Sequence, residues 1–307
     1  MYDNDSDGAG RGRRRRFDDE PHFLKRSLLP EPDLTEDEDD RPEDGDRWST
    51  WDLSAAGERG PEPYPDWLVT ELAAVDTELG MVKTGKEADV MLIRRGVPGT
   101  DRHCLLAAKR YRSSEHRMFH RDAGYLEGRR VRESRTNRAM AKRTGFGKEA
   151  IAGQWAVAEF GALYRLWEVG TELGVRIVPY PAQILGTELL LEFIGTDDGQ
   201  AAPRLAQVRP QPEELEDLWE QLVIALRVLA RCQIAHGDLS AYNILVHEGR
   251  LVLIDLPQIV DMVANPHSAR ILHRDVVNVA TWFAGRGLDG VDVDELTHDL
   301  LHESGIR

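Results

Sequence analysis

The sequence predicts an α+β fold, rich in strands before residue 195 and in helices after it, and three observations carry that expectation. Apolar runs over residues 88–93, 105–111, 177–181 and 188–195 have the length and content of strands. Spacing of three and four residues between apolar side chains marks helices at 155–166 and 213–231, the latter through Leu215, Leu218, Trp219, Leu222, Leu226 and Leu229. A tight hairpin completes the pattern: the short apolar runs 243–246 and 251–254 flank His247-Glu248-Gly249-Arg250.

The 307 residues are 41% hydrophobic, enough for a real core, but their net charge of −15 is unevenly held. Residues 1–60 carry 10 Lys plus Arg against 18 Asp plus Glu, with few large apolar side chains. A charged tail without a core of its own is expected over residues 1–63. Subtracting the −8 of residues 1–60 from −15 leaves −7 for residues 61–307, which gives no global attraction for nucleic acid. Cys104 and Cys232 are too few for a disulfide framework or a zinc site. The sequence has no apolar run of the roughly 18 residues a membrane helix needs, and its start is polar. A cytoplasmic protein without membrane contact is the expectation.

Taken in order, Arg11 to Arg16 form a basic tract and Glu36 to Asp40 an acidic one, both read first as solvated. Pro65-Asp66 before Trp67-Leu68-Val69 suggests a turn leading into a short helix over 67–72. Gly80 to Lys86 match the glycine and lysine spacing of a Walker loop, yet Glu87 stands where a hydroxyl should meet a metal. A strand follows instead of a helix, so that reading is rejected. Gly85 still provides a tight backbone turn, and Lys83 or Lys86 adds charge beside it. Lys109 ends the strand 105–111. Residues 110–148 then hold 12 Lys plus Arg and 4 Asp plus Glu with little periodicity, which predicts a flexible basic loop.

The chemistry concentrates on residues 234–258. The hairpin would hold Asp238 and Asn243 at the mouth of its first strand and Asp255 at the end of its second. One carboxylate to orient a hydroxyl, with an amide and a second carboxylate to hold a divalent cation against phosphates, is what phosphoryl transfer requires. Asp238 and Asn243 stand five residues apart, the separation of the kinase catalytic loop, with His236 two residues ahead.

The neighbours of these residues resemble the RIO family of atypical serine/threonine protein kinases. Asp238-Leu239-Ser240-Ala241-Tyr242-Asn243 is similar to its catalytic loop, with Ser240 where ordinary protein kinases carry lysine. Ile254-Asp255-Leu256-Pro257-Gln258 resembles its metal loop, and Gly85-Lys86-Glu87-Ala88-Asp89-Val90 its nucleotide loop, although Lys83 replaces the expected serine. Trp155 to Glu159 and Arg274-Asp275-Val276-Val277-Asn278-Val279 are also similar to family segments.

The resemblance spans about residues 64–300 and implies a two-lobed protein-kinase-like fold of RIO type without an activation loop. The strand-rich N-lobe would cover 64–192, including the basic loop, and the helical C-lobe 193–307. It implies ATP between the lobes and Mg2+ or Mn2+ on Asn243 and Asp255. Lys109 would sit on the phosphates, paired with Glu159, and Asp238 would act as the base. Lys86, Val90 and Ser240 become nucleotide contacts, and Glu192 and Ile194 candidates for the adenine-binding hinge. Arg274 and Asp275 are expected to lock the lower lobe together.

Three activities follow in order. The first is a protein kinase that also phosphorylates itself, with Ser113, Ser114 and Ser134 as acceptors. The second is an ATPase switch on a ribosomal or RNA-containing particle, working through a phosphorylated Asp255. The third is a small-molecule kinase of the aminoglycoside or choline type. The substrate's identity and the oligomeric state are left open.

Overall fold

The chain is described here from a computed structural model that covers residues 42–112 and 145–306, with side chains from residue 151 onward in the second stretch. The basic tract at 11–16, the acidic tract at 36–40, Ser113, Ser114 and Ser134 lie outside the described residues. So do residues 113–144, most of the basic loop expected at 110–148.

Alternating apolar residues build a six-stranded antiparallel sheet in the order β1-β2-β3-β4-β6-β5. Its strands are β1 (Arg47–Trp48), β2 (Val75–Thr84), β3 (Ala88–Gly96), β4 (His103–Tyr111), β5 (Pro181–Leu185) and β6 (Glu188–Glu192). Because side chains alternate, β4 sends Cys104, Leu106 and Ala108 into a core on the outer face. Ala107 packs on the opposite side, toward helix α1 (Gly145–Glu172), and Lys109 shares that side.

The outer face explains why the folded part begins before residue 63. A sheet with two apolar faces needs cover on both. Here Trp51, Leu68 and Val69 supply the outer cover, each almost wholly buried. Beneath them Arg95 is fully buried, held by Asp76 at 2.7 and 2.9 Å and by Gln183 at 2.9 Å. Gln183 in turn donates to Thr50 at 2.8 Å and Ser54 at 3.1 Å, which ties residues 50–54 to the sheet. The tail expected through residue 63 is therefore structured from residue 42 on.

Two other expectations change. Residues 67–72 are irregular, with turns at 66–67 and 72–73, in place of a helix: the carbonyls of Asp66 and Leu68 are taken by the Arg102 guanidinium at 2.9 and 3.0 Å instead of by helical N–H groups. The strand expected at 177–181 begins only at Pro181. Ile177 is buried off the sheet, and its carbonyl accepts the Leu253 N–H at 2.8 Å.

The second lobe is mainly helical. It contains α2 (Pro212–Arg231), α3 (Ser268–Ala284) and α4 (Val293–Glu303), the short pair β7 (Ile234–Ala235) and β10 (Val260–Asp261), and the hairpin β8 (Ile244–His247) with β9 (Arg250–Leu253). Leu218, Leu222 and Leu226 of α2 join Ile244, Leu253 and Val276 in one core. Both central residues of the hairpin turn, Glu248 and Gly249, have positive φ, at 50° and 73°, the twist that suits two antiparallel strands. Gln221 on α2 clamps that turn, donating to the Gly249 carbonyl at 2.8 Å and accepting from Leu251 N–H at 2.9 Å. Only β10 and adjoining turns separate Asp255 from α3, so no long activation segment is present there.

Trp51→Ala tests the revised boundary. Deleting a buried indole from the outer core should cost about 3–5 kcal/mol, read from urea unfolding. A loss below about 0.5 kcal/mol would mean that the segment does not pack on the sheet.

Candidate active site

Lys109 lies near the end of β4, on the face turned toward α1. Its ammonium is 2.7 Å from Glu159 Oε1 and 2.7 Å from Asp255 Oδ1. Glu159 reaches it because α1 buries that turn among Ala156, Phe160 and Leu163, leaving the carboxylate 1% exposed. A charge buried that deeply must be matched, and every contact on it is a donor. Besides Lys109, Oε1 accepts the Leu256 N–H at 2.9 Å, and Oε2 accepts the Tyr111 hydroxyl. The Tyr111 ring sits 5.2 Å from the Lys109 ammonium, and burial, followed by the Glu159 charge, pushes its phenol well above the usual range.

The loop from His236 to Asn243 is held from below. Asp275 of α3, almost fully buried, accepts the N–H groups of Gly237 at 2.7 Å and Leu239 at 3.3 Å. Asn278 donates to the Leu239 carbonyl at 3.2 Å, and Arg274 donates to that of Gly237. Gly237 is required here: its φ is +84°, and a Cβ would lie 2.1 Å from the Gln258 carbonyl oxygen. Loop and metal strand are joined through Ile254, whose N–H bonds the Asn243 carbonyl at 3.0 Å and whose carbonyl accepts from His236 Nε2 at 3.1 Å.

The loop thereby sets the oxygen-bearing side chains. Asn243 is buried and spends its amide hydrogens on Asp238, at 2.9 Å to the carbonyl and 3.5 Å to Oδ2, so its own carbonyl oxygen remains for a hard cation. Asp238 is exposed at the mouth of the loop. Asp255 follows in a left-handed conformation, φ +67°, an uncommon backbone for a residue with a side chain. Burial works against its charge, but the Lys109 ammonium, their hydrogen bond and Lys83 outweigh it and hold the carboxyl below the usual range.

Of the residues singled out in the sequence, Lys109, Glu159 and Asp255 meet directly, and Lys83 approaches Asp255 Oδ2 at 3.9 Å. Asp238 and Asn243 meet each other, and Ser240 enters through its carbonyl, which accepts the Asn243 N–H at 2.9 Å. Val90 stands opposite Lys109 in the sheet. Lys86 is exposed and makes no ion pair with the group. The Glu192 carboxylate turns back to the Tyr180 N–H at 2.9 Å, and the Ile194 carbonyl is taken by Ala202 N–H at 2.9 Å, so neither reaches this cluster.

Tyr111 and the bracing role of His236 were not foreseen. Tyr111 closes β4 two residues after Lys109 and so shares its face, which is the one signal that could have found it.

The donor set suits a divalent cation that leans on phosphate oxygens. Among the described residues no group of three or more His, Cys, Asp or Glu side chains could hold a metal alone. One amide oxygen and one carboxylate are the two hard ligands that magnesium-type ions take beside phosphates and water. Gly85 closes the β2–β3 turn, its N–H on the Ala88 carbonyl at 2.9 Å. A Cβ there would lie 2.8 Å from that same oxygen, so the turn requires glycine.

The depressed Asp255 carboxyl has a pH consequence. Its folded-state pKa is below the unfolded value of about 3.9, so the stabilisation is complete above that value and is lost as pH falls through the folded one. The stability advantage of the wild type over Asp255→Asn, from urea unfolding, should hold at neutral pH and shrink in acid. A difference independent of pH would contradict the ion pair.

Comparison with known proteins agrees with this geometry. A family model described as the RIO domain matches residues 103–296. A RIO-type serine/threonine-protein kinase Rio1 from Haloferax volcanii is 34% identical over 231 residues, covering 75% of this chain and 71% of that protein. The serine/threonine-protein kinase RIO1 of Caenorhabditis elegans is 34% identical over 218 residues, 71% of this chain but 39% of its own length. Its counterpart rio1 in Schizosaccharomyces pombe is 31% identical over 207 residues, 66% of this chain and 37% of its own. The chain thus spans well under half of the two eukaryotic relatives. The chain belongs to the RIO domain family and is a kinase-type enzyme.

Proposed function

We propose that the chain transfers the γ-phosphoryl group of ATP to a serine or threonine hydroxyl of a protein, its own chain included. The observation that supports this best is the Lys109 ammonium, held at 2.7 Å by Glu159 and at 2.7 Å by Asp255. A cation fixed on a strand of one lobe and aimed at a carboxylate of the other marks where a polyphosphate belongs.

Each residue then has a role. Lys109 binds phosphate oxygens, and Glu159 with Tyr111 keeps its ammonium oriented. Asn243 and Asp255 hold Mg2+ or Mn2+, both suited to oxygen donors. When bound, that ion offsets phosphate charge and aligns the triphosphate. Asp238, exposed and tethered to Asn243, accepts the proton of the acceptor hydroxyl as the new O–P bond forms and the bond to the β-phosphate breaks. Ser240 and Lys86 border the phosphates, Val90 covers the nucleotide from the sheet, and backbone groups of Glu192 and Ile194 face adenine. The substrate is a protein; the relatives named as serine/threonine kinases support that class. Among the described residues no helix is long and apolar enough to cross a membrane.

Incubation of the full chain with labelled ATP and a divalent cation tests the reading. Acid-stable label on protein is expected. Asp238→Asn should reduce its rate by about 10²–10⁴-fold with nucleotide binding kept. An Asp238→Asn variant as active as the wild type would remove Asp238 from this role. Hydroxylamine-labile label, with phosphate release stimulated by a ribosomal or RNA-containing particle, would favour an ATPase switch instead.

A further inference from the structure

Lys83 occupies its place through an irregularity of β2. Met81 pairs with Met91 and Lys83 with Val90, so Val82 is skipped by the ladder as a bulge. Side chains alternate along a strand, and a slip of one residue exchanges the faces. The ladder also shifts once earlier, between Glu78 and Gly80; counted on from the Met81–Met91 pair without this second shift, Lys83 would stand opposite Asp89, on the face away from Lys109. With the bulge, Lys83, Val90 and Lys109 form one cross-strand row, and directly opposed residues project to the same side.

Two strand spacings, about 10 Å, separate the backbones of the two lysines, yet both reach the same carboxylate. Lys109 Nζ is 2.7 Å from Asp255 Oδ1, and Lys83 Nζ is 3.9 Å from Oδ2. The Lys83 side chain is 39% exposed, so it remains accessible from solvent. Partial burial disfavours its charge, and Arg204 and Lys109 add to that, while Asp255 opposes it at a distance too long for a hydrogen bond. An anion arriving between the two lysines would be drawn to both. The serine expected at this position would supply a hydroxyl dipole, whereas Lys83 supplies a full charge.

We propose that Lys83 is a second phosphate-binding ammonium, which faces Lys109 across Val90 and makes nucleoside triphosphate binding less dependent on a divalent cation than a serine would. This rests on the reading that ATP occupies the cleft. The ligand class is a nucleoside polyphosphate, because the cleft is read as an ATP site and a phosphate chain there offers an oxygen to each ammonium.

Fluorescent ATP and AMP titrated into the full-length wild type, Lys83→Ser and Lys83→Arg, with Mg2+ and with EDTA, test the proposal. Lys83→Ser should weaken ATP binding in EDTA about tenfold, as for the loss of one charge-assisted contact. It should leave AMP binding within about twofold and lose less in Mg2+. Lys83→Arg should keep most of the affinity. Equal thermal midpoints establish that the variants are folded. Unchanged ATP affinity of Lys83→Ser in EDTA, equal loss for ATP and AMP, or a wild type that binds ATP only with Mg2+ would each overturn the role of Lys83. A wild type that binds neither nucleotide under any condition would instead overturn the ATP reading itself.

Discussion

The structure depends on one buried charge being satisfied. Glu159 lies inside the apolar face of α1, and a carboxylate there is tolerated only with donors on both oxygens. Those three donors come from two places: Lys109 and Tyr111 of β4, and the Leu256 N–H after β9. One side chain thus fixes the sheet, the long helix and the metal strand relative to one another. Removing a partner from such a pair costs about 3–5 kcal/mol because the other charge is stranded. The same bonds that hold the lobes therefore hold the Lys109 ammonium in place.

Below this junction rigidity comes from backbone bracing. Asp275 collects two N–H groups of the loop, Arg274 and Asn278 return to its carbonyls, and Gly237 allows the Gln258 carbonyl to approach. Asp238 stays exposed on this stiff base, which is compatible with the role proposed for it. Burial raises the Asp275 carboxyl, and the backbone donors oppose that rise without cancelling it. Its value lies in positioning the loop, away from the reacting atoms.

The chemical core was legible in the sequence because its signals are local. Asp238 to Asn243 and the hairpin ending on Asp255 lie within one short stretch, where spacing alone implies convergence. Lys109 and Glu159 could be assigned through strand and helix patterns plus the family resemblance. What escaped notice depends on distant contacts. Trp51 sits in a strongly charged region whose average hides it, and its burial follows from an outer sheet face that must be covered. The helix expected at 67–72 gave way to irregular chain whose carbonyls at Asp66 and Leu68 are taken by the distant Arg102 side chain. The apolar run at 177–181 suggested a strand, but pairing begins at Pro181 and Ile177 packs elsewhere. The face on which Lys83 lies depends on two register shifts in β2, and no residue count reveals them in advance.

A crystal structure of the chain with a non-hydrolysable ATP analogue and magnesium would bear most directly on the central claim. Lys109 should still contact Glu159 while its ammonium meets a phosphate oxygen, with Asn243 and Asp255 on the metal. An analogue bound away from this junction, or a Lys109 that leaves Glu159 unpaired and never reaches the phosphates, would contradict it.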